Sequence, residues 1–289
     1  MSLIYNTISV VANGEDAESG AGLHRVRTVT SRSDTTRVSV PLRERESIYR
    51  ASVTETQYRT MRHVPGTFSI AARDPDANVF GAAVTTGTVA VGATCPYVSA
   101  GGAAVTQSYT KTEHGRDAVA RAEAGERIDD AFETLLDADD HAAYRQVHGV
   151  GAAGEFAFTG GECVSWAGHR VGDDYTVAGN MLAGEAVVEA TAEAYESADG
   201  DMADRLVSAL EAGEAAGGDG RGEMSAAVLV HAPTPEFYHN LRVDLSDEPV
   251  SDLRDLLAEA RRAKDQIRRE TDAQFGDYPD EILDFGVKY

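Results

Sequence analysis

A period-2 alternation that opens at Thr67 constrains this chain more than any other feature. In Gly66-Thr67-Phe68-Ser69-Ile70-Ala71-Ala72-Arg73-Asp74, the apolar Phe68, Ile70 and Ala72 alternate with Thr67, Ser69 and Ala71. Successive side chains of a strand point to opposite faces, so the pattern predicts a strand with one face in a core. Asp74-Pro75-Asp76-Ala77-Asn78 then supplies turn chemistry before the next apolar run, Val79 to Thr85.

Upstream of that strand the chain reads differently. Residues 1–66 carry nine Arg and no Lys against seven acidic residues, whereas 67–289 carry 17 basic against 41 acidic. The first stretch is rich in Ser, Thr, Arg and Val without sustained periodicity, which predicts a segment outside the fold, disordered over 1–66. Two origins fit it: a removable propeptide, or an upstream extension from a start assigned too early, with Met61 as the true first residue. A single folded domain is expected over 67–289, closing with a helix and a tail.

Within that domain the punctuation is regular. Val79 to Thr85, Thr88 to Ala93 and Ala103 to Thr106 are short strand-prone runs separated by glycines, and His114 to Ala124 begins a pair of helices whose second carries Ile128, Phe132, Leu135 and Leu136 on one face. Strands are expected again at Gln146 to Val150, Glu155 to Thr159 and Asp174 to Gly179. Helices follow at Leu182 to Glu196 and around Met202, Leu206 and Leu210. Then come a strand at Ser225 to His231, an edge strand at Leu241 to Asp244, and a terminal helix striped by Val250, Leu253, Leu257, Ala260 and Ile267. Strands and helices that alternate in blocks disfavour a parallel doubly wound sheet and predict an α+β fold of two antiparallel sheets with helices outside.

Charge and composition exclude some function classes. The formal charge is −22 and Lys occurs three times, at Lys111, Lys264 and Lys288, a balance that resembles proteins of salt-loving microbes. It argues against nucleic acid as a partner, because phosphate contacts call for a basic stripe. Cys95 and Cys163 are too few for a disulfide framework and lack metal-ligand spacing, so no metal or cofactor is expected. The Gly217 to Gly222 run lacks the spacing and following Lys of a phosphate loop. No membrane-spanning run or secretory leader is visible, so a cytoplasmic protein is expected, with a homodimer left open by the terminal helix stripe.

The start of the first strand also suggests chemistry. A Thr after Gly is what a hydrolase with an N-terminal nucleophile requires, since the freed α-amine, with an ordinary pKa of about 7.7–8.0, serves as base for the neighbouring hydroxyl. An ordinary loop-to-strand junction reads the same way. Three further residues are candidates for substrate contact: Gln107 at a strand end, Ser225 at a strand start where it also suits a bond to the Asp219 turn, and His169 in Trp166-Ala167-Gly168-His169, as an acid, a ligand or a packed side chain.

Six motifs in order carry a family resemblance: TFSIAARDPDANVFGAAV, VGATCPYVSAGGAAVTQ, RQVHGV, CVSWAGH, VAGNMLAGEAVVEA, and AAGGDGRGEMSAAVLV with LRVDL after it. From Thr67 to about Leu257 the chain resembles the family catalogued as domain of unknown function 1028, which is assigned to the N-terminal-nucleophile hydrolase superfamily. The resemblance implies a four-layer αββα sandwich and a putative amidohydrolase acting on a small amide or peptide-like substrate through Thr67. In many similar sequences the matching Thr directly follows the initiator Met, whereas here exposure of Thr67 requires cutting Gly66-Thr67. A fainter similarity to proteasome β subunits puts the turn at Gly179-Asn180 where those enzymes carry Gly-Ser-Gly, and Asp219 where they orient the nucleophile's amine. It thereby implies Asn180 as an oxyanion donor, with a helix N-cap as its other reading, and Asp219 as holder of the amine. Arg221, in the same Gly-rich turn, suits a substrate carboxylate or an internal ion pair with Asp219. The Lys of the proteasome site has no match, since Cys95, Pro96 and Tyr97 occupy that region. A binding or scaffold protein on the same fold is the rival reading.

Overall fold

The alternation at Thr67 becomes a central strand. A computed structural model describes residues 66–163, 166–219 and 222–276, so the expectations for 1–65, Arg221 and the tail beyond 276 lie outside the described residues. Strand β1 (Thr67–Asp74) lies between β2 (Val79–Thr86) and β8 (Tyr175–Leu182), antiparallel to both. With β7 (Trp166–Gly172), β9 (Ser225–His231) and β10 (Asn240–Val243) they form a six-stranded sheet in the order β10-β9-β2-β1-β8-β7. A second antiparallel sheet has the order β3-β4-β5-β6, from β3 (Pro96–Ser99), β4 (Gly102–Ser108), β5 (Arg145–Gly151) and β6 (Glu155–Thr159).

Alternation along β1 decides what covers each face. Phe68, Ile70 and Ala72 pack into a core with Val187 and Val188 of helix α3 (Glu185–Ser197), Leu206 and Leu210 of α4 (Met202–Ala215), and Leu253 and Leu257 of α5 (Pro249–Phe275). Fully burying a side chain such as Phe68 or Ile70 contributes about 1.5–3 kcal/mol, which anchors the register of the strand. On the opposite face Ala71 meets Phe80, Ala82 and Val84 of β2 and Ala103, Val105 and Val150 of the second sheet. The outer face of that sheet, through Ala104 and Val147, packs on Ala118 and Val119 of α1 (Thr112–Glu123) and on Ile128 and Phe132 of α2 (Ile128–Asp137). The result is two facing antiparallel sheets with helices on the outer side of each, an α+β sandwich as the block order implied.

Several local readings change. Thr88 to Ala93 reads as a strand but forms a loop with a 3-10 turn at Val91–Ala93. Its backbone is satisfied elsewhere: Val91 N–H donates to Ser225 Oγ (3.1 Å), Ser225 Oγ donates to Thr88 O (2.6 Å), and Ala90 N–H donates to Asp244 O (2.9 Å). Strands β3 and β7 lack a sequence signal, the first because it is four residues opened by a Pro that has no N–H for a ladder, the second because it is a half-exposed edge without clean alternation. The predicted turn at Gly179-Asn180 is strand instead, since β8 continues to Leu182 and α3 begins at Glu185. The terminal helix buries Val250 to Ala260 as its stripe predicts, but Ile267 is exposed. Among the described residues no helix is long and apolar enough to cross a membrane.

Candidate active site

Cross-strand pairing gathers the site. Thr67 pairs in register with Thr86 on β2 and with Asn180 on β8, so the three side chains stand together on the inter-sheet face. That ladder position, rather than a helix cap, is what fixes Asn180. Thr67 is 8% exposed and Asn180 1%.

Directions follow from the hydroxyl inventory. Thr86 Oγ1 donates its one proton to Gly66 O (2.8 Å), so the 2.9 Å contact between Thr67 Oγ1 and Thr86 Oγ1 has Thr67 as donor. Gly87 N–H also donates to Gly66 O (3.2 Å), leaving the carbonyl of the Gly66-Thr67 peptide held by two donors. On its other side Gly66 N–H donates to Asp219 Oδ2 (2.5 Å). The carboxylate of Asp219 therefore reaches the nitrogen one residue ahead of the Thr67 nitrogen that the sequence assigned to it. Only Gly fits here, because a Cβ on Gly66 would lie 2.7 Å from Met181 O and 2.9 Å from Asp219 Cγ.

A cavity of about 240 Å3 opens beside these residues. Thr67 and Thr86 form its floor together with Asn180 and Met181; the loop after β2 gives Thr88, Val91, Thr94 and Cys95, and the end of β4 gives Ser108, Tyr109 and Thr110. Two of the wall residues hold left-handed backbone without being Gly, Ser108 at φ 67° and Met181 at φ 54°. Met181 sits where the β7–β8 register shifts, and a bulged residue in that conformation re-aims the strand end. Such strain persists only where the surroundings over-determine it, and it gathers at functional sites. Burial pushes the Cys95 thiol up, so it stays protonated near neutrality and is no ready nucleophile.

Behind Asn180 runs a buried polar network whose polarity is determined. Gln146 Nε2 faces two backbone carbonyls, Gly179 O (2.8 Å) and Gly168 O (3.1 Å), which fixes its Oε1 as the acceptor for Asn180 Nδ2 (3.0 Å) and Gln107 Nε2 (2.8 Å). Gln107 Oε1 then accepts from Ser69 Oγ (2.7 Å). With its proton spent, Ser69 accepts from His148 Nε2 (2.7 Å), and His148 Nδ1 accepts from Thr176 Oγ1 (2.9 Å). His148 is neutral in this setting: burial, aided by His169, pulls its pKa down to about 3. The chain ends on the Asn180 carboxamide, which donates one N–H to Gln146 and has a second on a residue that lines the cavity.

The sequence-derived candidates thus separate. Thr67 and Asn180 meet at the cavity, and Asp219 stands on the upstream side of Gly66. Gln107 is fully buried in the network, so it acts on the site only through Gln146. Ser225 is fully buried and bonds the loop after β2 rather than the Asp219 turn. His169 is exposed on β7, with Nδ1 2.9 Å from Thr159 Oγ1, which also lies 2.9 Å from Gln146 Nε2. Neither lines the cavity. Cys163 is half-buried with Sγ 3.5 Å from Arg145 O. Among the described residues no group of three or more His, Cys, Asp or Glu is placed to hold a metal ion.

Thr86, Gln146, His148 and Ser108 are functional candidates that residue-level reading passed over. Gln146 and His148 do lie in the RQVHGV motif, at alternate positions on one strand face. Only pairing across strands reveals what they touch.

Comparison with known proteins adds kinship. A family model described as a family of unknown function (DUF1028) matches residues 67–253, beginning on Thr67 itself. The chain is similar to the crystal structure of protein SPO2555 from Silicibacter pomeroyi, which carries the same family assignment; the TM-score is 0.62 and the identity 30%, over 77% of this chain and 92% of that one. No curated protein matches.

Proposed function

The chain belongs to the DUF1028 family, and from that premise we propose that it is an amidohydrolase of the N-terminal-nucleophile type, acting on a small amide or peptide-like compound. One observation carries the reading: Thr67 heads the central strand, paired in register with Asn180, and both line one cavity. The sandwich of two antiparallel sheets with helices outside suits the αββα layering of that superfamily. The family match beginning on Thr67 fits a domain whose functional start is this residue.

Cleavage of Gly66-Thr67 comes first. Its carbonyl oxygen is gripped by Thr86 Oγ1 and Gly87 N–H, donors that suit the negative charge arising when Thr67 Oγ1 attacks the carbonyl carbon. The Gly66 C–Thr67 N bond breaks with the hydroxyl proton passing to the nitrogen, water hydrolyses the ester so formed to leave a Gly66 carboxylate, and the freed Thr67 amine then serves as general base. Thr67 Oγ1 adds to a substrate amide, and the second N–H of Asn180 stabilises the oxyanion, a contribution worth about 2.7–4 kcal/mol where such a donor has been removed. The C–N bond breaks with the proton passing to the leaving nitrogen, and water hydrolyses the ester on Thr67.

Intact mass and turnover test this together. A mature chain beginning at Thr67, a Thr67→Ala variant that keeps its full mass, and loss of amide hydrolysis in that variant are the expected results. Equal amide turnover by wild type and Thr67→Ala would sink the mechanism, and an unprocessed chain that binds small amides without hydrolysing them would support a binding protein instead.

A further inference from the structure

In the uncut chain Gly66 fills a fitted seat beside Thr67. The residue is buried, its N–H donates to Asp219 Oδ2 (2.5 Å), and its carbonyl oxygen accepts from Thr86 Oγ1 (2.8 Å) and Gly87 N–H (3.2 Å). The fit around the α-carbon is close. A Cβ there would lie 2.7 Å from Met181 O, 2.9 Å from Asp219 Cγ and 3.0 Å from Asn180 O. Two of those three atoms belong to the backbone of β8, which cannot step aside as the end of a flexible side chain can. Asp219 is 3% exposed and is itself held, because its N–H donates to Glu223 Oε1 (3.0 Å). Ala183 N–H donates to Gly218 O (3.1 Å), which ties the Asp219 turn to the chain just after β8.

Self-cleavage and turnover pass through the same kind of ester. When Thr67 Oγ1 attacks the Gly66 carbonyl and the C–N bond breaks, the upstream segment is left as a glycyl ester on Thr67. An acyl-enzyme formed from an amide of glycine is also a glycyl ester on that oxygen. The seat that holds the first therefore suits the second.

Resting on the hydrolase reading above, we propose that the substrate class is amides of glycine: an acyl group with an unsubstituted α-carbon and an α-nitrogen, free or acylated, that donates to Asp219. The carboxylate reads that nitrogen as it reads Gly66 N–H in the uncut chain, while Met181 O and Asn180 O reject a side chain on the α-carbon. Thr86 Oγ1 and Gly87 N–H, vacated by Gly66, receive the carbonyl oxygen alongside the Asn180 N–H. The reaction is a plain hydrolysis. The Thr67 Oγ–C bond forms, the acyl C–N bond breaks with the proton passing to the leaving nitrogen, and water breaks the ester to release glycine, or its N-acyl derivative, as a carboxylate.

The test uses the chain cleaved at Gly66-Thr67, verified by intact mass, and follows ammonia release from glycinamide, N-acetylglycinamide, L-alaninamide, N-acetyl-L-alaninamide and propionamide. Each glycyl compound should exceed its alanyl partner by at least about tenfold in kcat/KM. Propionamide, without an α-nitrogen, should trail glycinamide by at least about tenfold as well. In Asp219→Asn, release of the upstream segment should slow by about tenfold or more and the ratio of glycinamide to propionamide turnover should fall. Alanyl amides turned over as fast as glycyl ones would overturn the closed α-carbon. Propionamide matching glycinamide, or leader release and turnover ratio both unchanged in Asp219→Asn, would overturn the contact with Asp219. A cleaved chain that hydrolyses none of the five would overturn the substrate class and leave the N-terminal threonine standing. A chain that never cuts at Gly66-Thr67 would overturn the hydrolase reading itself, and the substrate class with it, since Gly66 then never leaves the seat.

Discussion

Replacing Gln146 by Leu removes one carboxamide from the buried network and leaves its partners stranded. Asn180 Nδ2 and Gln107 Nε2 lose their common acceptor, and Gly179 O loses a 2.8 Å donor. Gln146 is fully buried, so water does not replace what is lost. At roughly 1–3 kcal/mol for each stranded group, with some relaxation, the loss of stability is about 3–6 kcal/mol. A domain of this size changes Tm by about 2–4 °C per kcal/mol, which puts the drop near 6–24 °C. Activity should suffer separately. With Asn180 no longer held, up to the full oxyanion contribution is forfeited, about 10²–10³ in kcat, while KM changes little. The assay is thermal unfolding of the wild type and Gln146→Leu, alongside kcat for any amide that turns over. A Tm within 2 °C of wild type would refute the network as drawn, and a large Tm drop with kcat intact at permissive temperature would remove Asn180 from the chemistry.

Three other perturbations have definite outcomes. Gly66→Ala drives a Cβ to 2.7 Å from Met181 O, so the full-length chain should lose about 1–3 kcal/mol, whereas a chain beginning at Thr67 is indifferent to it; differential scanning calorimetry of the two forms reads the contrast. His148 titrates near 3 in the fold against about 6.5 when unfolded, so the unfolded state binds the extra proton between those values and stability falls as pH drops from about 6.5 toward 3. The loss is at most about 5 kcal/mol, and denaturant titrations of the wild type and His148→Gln across that window should differ in slope, parallel curves disproving the assignment. Finally, the −22 charge predicts that Tm rises between 0.1 M and 2 M KCl as the Debye length shrinks from about 10 Å to under 3 Å, and a flat response would show that self-repulsion is not limiting.

Local alternation made much of the scaffold legible. The pattern around Phe68, Ile70 and Ala72 marks the face of β1 that packs against the helices, and Glu155 to Thr159 and Ser225 to His231 are strands at the bounds their apolar and β-prone residues suggest. The block order of strands and helices likewise specified two antiparallel sheets. Edge strands β3 and β7 left no such trace, since β3 is four residues opened by a Pro and no position of β7 is fully buried.

Thr67 and Asn180 were both visible as residues, yet their meeting was not. They lie more than a hundred positions apart, and only the pairing of β1 with β8 sets them side by side. Chain order alone determined that a threonine opens the central strand behind a glycine. Tertiary structure decided the rest: which hydroxyl that threonine faces, that the Asp219 carboxylate lands on Gly66, and that Gln146 and His148 stand behind the carboxamide. The physical reason is that sequence period records which way a side chain points, whereas hydrogen-bond partnership depends on register between strands distant along the chain.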